Sequence, residues 1–243
     1  MNIEKNYQIN IANITIEVIK KGIKNLHIAV YPPIGRVRIA APEKTTDEAI
    51  RLFGISKLPW IKKSKQKYLL QERENKREYV EGESLMYKGK RYVLKLVNNT
   101  PQNKIIIKNK KYIEIRIKPF ESQVEIGKQY ENWLREELKE IVKVKISKWE
   151  KVTKLKVKSW KIQKMKTRWG SCNKKTGNIL INFELIKKSE NCIDYVVLHE
   201  IIHLVEPKHN KNFVRFLDKY LPKWLQFKQE LNDGILPHTS WNL

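Results

Sequence analysis

Cysteine, glycine and acidic residues are scarce in this chain of 243 residues, and long apolar runs are missing. The two cysteines, Cys172 and Cys192, cannot build a disulfide framework, and neither stands in a C-x-x-C pair, so they read as free thiols. No stretch approaches the roughly 18 to 20 consecutive apolar residues of a membrane span, which argues against a transmembrane protein. The opening segment MNIEKNYQINIANITIEVIKK has no uninterrupted apolar core and no small-residue cleavage site, so the expected compartment is the cytoplasm. Glycine, at 9 residues, is rare beside abundant lysine, isoleucine and asparagine, a pattern that suits an AT-rich genome. No internal repeat or low-complexity segment is legible.

The 26 acidic residues face 50 Lys and Arg, giving a formal net charge of +24. Only 10 of the 50 are Arg, and the excess is spread, with 26 basic against 11 acidic residues up to position 120 and 24 against 15 beyond it. A charge so distributed reads first as a solvated basic surface, with affinity for a polyanion such as nucleic acid as the functional alternative. The densest stretch, Lys151 to Arg168, holds 8 basic residues and no acid around Trp160, and reads either as an anion-binding stripe or as a solvated strand face.

The hydrophobic pattern predicts an α+β protein. Ile9 to Ile19, Leu26 to Val30 and Val37 to Ala40 are rich in Val and Ile, with Pro32, Pro33 and Gly35 marking a turn, and they suggest an antiparallel meander. Ala49, Ile50, Phe53, Ile61 and Tyr68 recur at helical spacing around Pro59, and strands return at Ser84 to Tyr87, Arg91 to Val97, Lys104 to Ile107 and Tyr112 to Lys118. From Val124 the period becomes helical, with Tyr130, Trp133, Leu134, Leu138, Ile141, Val142 and Trp149 on one stripe. The alternation over Lys154 to Lys158 and the run Asn178 to Phe183 predict two short strands. Ile193 to Val205, Asn210 to Tyr220 and a segment around Trp224, Phe227 and Leu231 predict helices. The expected division is a β-rich domain over 1–120 and a mainly helical domain with a small sheet over 121–243.

Three of the five histidines, His199, His203 and His209, fall within eleven residues. On an α-helix the i, i+4 spacing sets His199 and His203 on one face, where two neutral imidazoles can grip one zinc ion. Glu200 adjoins the first of them and is the candidate general base toward a water at the open coordination position. Uncharged flanks, Val196 to Leu198 and Ile201 to Val205 apart from His203, supply a dry surround. A catalytic zinc needs a third protein ligand, and Glu206 lies about 10.5 Å along a straight helix from His199, too far to share the ion. Pro207 should end the helix near Glu206 and let the chain bring His209 back beneath the metal, with Glu206 supporting the ligands from outside. His27 and His238 read as structural or solvated.

With these residues in hand, the second half of the chain resembles the YgjP-like metallopeptidase domain, a zincin relative of the SprT-like and WLM proteases. The segment from Lys166 to Cys172, KTRWGSC, matches that family's R-W-G-S-C signature, followed by the strand Gly177 to Asn182, the helix ending in His199-Glu200-Ile201-Ile202-His203, and Val205 to His209 with Phe213 four residues on. Tyr79 to Glu83 and Tyr87 to Tyr92 look like its β-rich N-terminal region. The resemblance implies a zincin-like domain with His199, His203 and His209 on zinc, Glu200 as catalytic base, and a peptide or protein substrate. It leaves Arg168 as an oxyanion or substrate contact and Trp169 either as a supporting or substrate-binding residue or, with Gly170, as shaping the turn. The spacing from His203 to His209 equals that of metzincins, but Glu206 stands where they have Gly and no Met-turn follows.

The leading expectation is zinc-dependent peptide hydrolysis, the substrate lying along a strand edge at Asn178 to Asn182. Two rivals accompany it. Some members of the family carry a UTP pyrophosphatase label, although no Walker-type loop or acidic cluster for magnesium is legible here. A basic nucleic-acid-associated protease or binding module is the other.

Overall fold

Isoleucine and valine at every second position give the first strands one apolar face. In the computed structural model, which describes residues 5–31, 34–70, 77–165 and 168–233, they form β1 (Lys5–Ile11), β2 (Ile14–Lys21), β3 (His27–Tyr31) and β4 (Arg36–Pro42). Ile14, Ile16 and Val18 on β2 and Val37, Ile39 and Ala41 on β4 are buried, as period-two alternation requires. Two helices, α1 (Asp47–Ser56) and α2 (Leu58–Leu70), add Ile50 and Ile61 to the same core. Thr46 caps α1 by accepting from the Ala49 amide at 3.2 Å. The expected meander is corrected: the order is β1-β2-β4-β3, with β2 and β4 parallel. The chain crosses to the outer position of β3 before hairpin pairing brings β4 back between it and β2.

The described residues divide into two compact units, 5–70 and 77–233. The second opens with β5 (Ser84–Tyr87), β6 (Lys90–Val97), β7 (Lys104–Lys108) and β8 (Tyr112–Arg116), in the order β5-β6-β8-β7. Its 31-residue helix α3 (Gln123–Thr153) starts in a capping box of Ser122 and Glu125, and buries Ile126, Tyr130, Leu134, Leu138, Val142, Ile146 and Trp149. Leu85, Tyr87, Tyr92, Leu94, Ile113 and Ile115 of the preceding strands belong to the same apolar cluster as this stripe. The change of period near residue 120 therefore falls inside the second unit, because the β5–β8 sheet and α3 share one core.

After α3 come β9 (Ser159–Gln163), β10 (Gly170–Asn173) and β11 (Asn178–Asn182), then a 3-10 turn over Phe183–Lys187, and the helices α4 (Glu190–Ile202), α5 (Lys211–Tyr220) and α6 (Trp224–Asp233). In the alternation at Lys154 to Lys158 every second residue is exposed, but Lys154 is the left-handed C-cap of α3 and the paired strand begins only at Ser159. In the small sheet β11 is central, antiparallel to β10 and parallel to β9. Both of its edges are occupied, which corrects the expectation that Asn178–Asn182 offers an edge to substrate; β10 and β9 are the edge strands. Lys166, His238 and the prolines Pro32 and Pro33 lie outside the described residues.

Candidate metal centre

Ser189 starts α4 by accepting from the Cys192 amide at 3.3 Å. Ten of the helix's residues are buried, from Cys192 to Leu198 and from Glu200 to Ile202, so apart from the face at His199 it runs through the core. Asp194 ties it to α3, its carboxylate accepting from Trp149 Nε1 and from Lys148 Nζ, each at 2.7 Å.

The helix stops at Ile202, four residues short of Glu206. Pro207 explains the place, because a proline ring in a helix clashes with the carbonyl four residues earlier, here that of His203. The last turn tightens accordingly, with Leu204 N bonding to Ile201 O at 3.1 Å and Val205 N to Ile202 O at 3.0 Å. The chain then reverses, and Asn210 caps α5 by accepting from the Asn212 and Phe213 amides.

That reversal brings His209 to the helical pair. Donor atoms of His199, His203 and His209 all lie within 4.8 Å of one another, and the Nε2 atoms of His199 and His209 are 2.9 Å apart. Two nitrogens on one tetrahedral zinc, each at about 2.0–2.1 Å, stand roughly 3.3 Å apart, so one ion can reach this donor set with small adjustments. His203 Nδ1 lies 2.9 Å from the Glu206 carbonyl oxygen. A carbonyl only accepts, so Nδ1 carries the proton and Nε2 keeps its lone pair free for a metal. Glu206 thus supports the site through its backbone, while its carboxylate accepts from the Lys208 amide at 3.3 Å.

The Phe213 ring, buried on α5, stands 4.8 Å from each of the three imidazoles and holds them from one side. Burial, then the neighbouring histidines, pushes His199 down to about 3 and lowers His209 as well, which keeps both rings in the neutral, ligating form. His199 Nδ1 is buried without a partner among the described residues.

Glu200 is 5% exposed, and burial pushes its carboxyl up to about 8 against the opposing pull of Arg168. A Cβ on Gly170 would lie 2.5 Å from Glu200 Oε1, so only glycine leaves room for this carboxylate beside β10. Asn182 fixes the approach to that strand, its Nδ2 donating to Arg168 O at 2.7 Å and to Met165 O at 2.8 Å while its backbone amide bonds to Trp169 O. Trp169 lies beneath the ammonium of Lys188 at 5.5 Å.

The three histidines, Glu200, Arg168, Trp169 and Gly170 line a cavity of about 550 Å³ together with Cys172, Lys174, Tyr195, Lys228 and Asn232. Burial and the nearby Glu200 charge raise the Cys172 thiol to about 11, so it is a neutral thiol at neutral pH. The five sequence candidates His199, Glu200, His203, His209 and Arg168 are thereby brought to one cavity with Trp169, while the Glu206 carboxylate is not. Tyr195 and Lys228 escaped the sequence reading of the site, which marked Gly170 only as a turn-shaping residue and Phe213 only as a core residue of the family pattern. Tyr195 precedes His199 by one helical turn, so the spacing that pairs the histidines could have found it; Lys228 on α6 carries no such signal.

Among the described residues no helix is long and apolar enough to cross a membrane. No curated protein matches the chain. The profile of the family described as YgjP-like, metallopeptidase domain, matches residues 24–234, which spans nearly all of the β strands and every helix described above. The chain belongs to the YgjP-like metallopeptidase family.

Proposed function

We propose that the protein is a zinc-dependent peptidase in which His199, His203 and His209 hold the ion and Glu200 is the general base. The observation that carries the reading is the convergence of three imidazole donors, within 4.8 Å, in a cavity that also contains the buried Glu200 carboxylate. A zinc ion held by these three imidazoles would supply Lewis acidity, lowering the pKa of water and polarising a carbonyl. Glu200 accepts the proton of the attacking water and returns it to the leaving amine. Gly170 leaves the carboxylate its space, and Phe213 and the Glu206 carbonyl hold the imidazoles in place.

The strand β10 borders the cavity through Gly170, Ser171 and Cys172 and, among the described residues, has no strand on the side away from β11, where an extended peptide could pair. Among the described residues Glu200 is the only carboxylate lining the cavity, and one carboxylate is not an oxygen cage for magnesium, which favours a peptide over a nucleoside triphosphate. The reading is tested with a mixture of unstructured peptides, assayed with parent and Glu200→Gln protein of equal metal content. The parent cleaves and loses activity to a chelator, whereas the variant turns over about a hundredfold or more slower. Undiminished cleavage by Glu200→Gln rules out the assigned base.

A further inference from the structure

Charge around the cavity is one-sided. Arg168 precedes β10, Lys174 follows it, and Lys228 projects from α6, and all three exposed cations line the same cavity. None of them forms an ion pair among the described residues, although carboxylates elsewhere capture Lys148, Lys164 and Lys187. Lys174 donates to the Val205 carbonyl at 3.0 Å, which keeps its charge beside the histidine loop. Lys228 lies 5.6 Å from the Trp224 ring centroid, and its charge reaches His199 and His209. Among the described residues the one acidic group in the lining, Glu200, is buried and already assigned to chemistry.

We propose that these cations select the substrate: the cavity takes peptides with Asp or Glu on both sides of the scissile bond. The inference rests on the peptidase reading above and adds the substrate class. Arg168 and Lys174 are six residues apart with β10 between them, up to about 20 Å along an extended chain. That separation suits side chains several residues apart on a peptide lying along the strand, and is longer than one compact triphosphate needs. Lys228 contributes from α6. Exposed charges of this kind act through encounter and affinity, so discrimination is read mainly in KM and weakens with salt.

The test uses the full chain loaded with zinc and three fluorogenic peptides of one scaffold, with Glu, Gln or Lys at the positions flanking a fixed cleavable centre. Cleavage efficiency falls in the order Glu, Gln, Lys, with about a tenfold or larger span between the extremes at low salt, carried by KM and shrinking at high salt. Arg168→Gln and Lys228→Gln, checked for unchanged zinc content, each reduce the Glu-to-Lys ratio by about two- to fivefold. Binding of the same peptides to Glu200→Gln, followed by fluorescence anisotropy, reads the preference without turnover and follows the same order. Cleavage with no charge preference, or equal binding of the Glu and Lys peptides, overturns this inference and leaves the peptidase reading standing. Hydrolysis of UTP with no peptide cleaved overturns both.

Discussion

Gly170 and Glu200 occupy one space, and neither can change without the other. A methyl group at position 170 meets Oε1 at 2.5 Å and drives the carboxylate off its position. Gly170→Ala is therefore expected to keep its metal but lose activity by about a hundredfold, since misplacement of a reacting group by an ångström costs that much. Metal analysis and turnover on one preparation check it; full activity shows that Glu200 has room the geometry denies. A second carboxylate shows the opposite electrostatics far from the site. Glu114, 4% exposed, is hydrogen-bonded by Lys108 and Arg116, which lower its pKa from the ordinary 4.5. A depressed carboxyl stabilises the fold above its unfolded pKa and loses that contribution as pH falls through the folded one. Glu114→Gln should cost about 1–3 kcal/mol at pH 7 and progressively less below about pH 4.5, as followed by thermal unfolding. A pH-independent cost would show that the charge contributes nothing.

Among the elements, α4 is positioned from both ends. Its start is braced by the β5–β6 turn, where Lys88 N bonds to Ile186 O at 2.8 Å and Gly89 N to Lys187 O at 3.1 Å. Gly89 has φ 76°, and a Cβ there would lie 3.0 Å from the Ser189 nitrogen, at the helix cap. Gly89→Ala is expected to destabilise the second unit by about 1–3 kcal/mol in urea unfolding, with the loss appearing in metal affinity because His199 and His203 ride on the same helix. Unchanged stability would mean that the hairpin does not brace α4. The end of α4 was legible from Pro207, though not its position: the ring acts on the carbonyl of His203, so the helix yields four residues earlier than the proline's immediate neighbour suggests. The stripe on α3 was legible because period and burial coincide over its whole length. Strand partners were not, because alternation marks a buried face and leaves the neighbour unspecified; β4 enters between β2 and β3, and β11 is enclosed, without any signal in their own residues.

Across the molecule the same strand arrangement occurs twice. The sheets β1-β2-β4-β3 and β5-β6-β8-β7 each pair two antiparallel hairpins through parallel inner strands, one sheet in each unit, although no sequence repeat is legible. That His199, His203 and His209 come together was legible, since His199 and His203 are set on one face by helical spacing and His209 is returned to them by the reversal near Pro207. What was hidden is the surround, Gly170 from a strand and Lys228 from α6, which meets the histidines only after folding. Because the donors are gathered by the fold, bound metal stabilises it in return: at a free-ion concentration of 100 times Kd the gain is about 2.7 kcal/mol. Chelation should lower Tm by about 5–10 °C, a shift that His209→Ala abolishes in large part; an equal shift in the variant would place the ion elsewhere.

The most direct measurement is elemental analysis of the parent and His209→Ala, each purified without added metal and then equilibrated with limiting zinc. The three-histidine centre predicts about one zinc per chain in the parent and a clear loss in the variant. A parent that takes up no zinc, or a variant that holds it as tightly, would contradict the account.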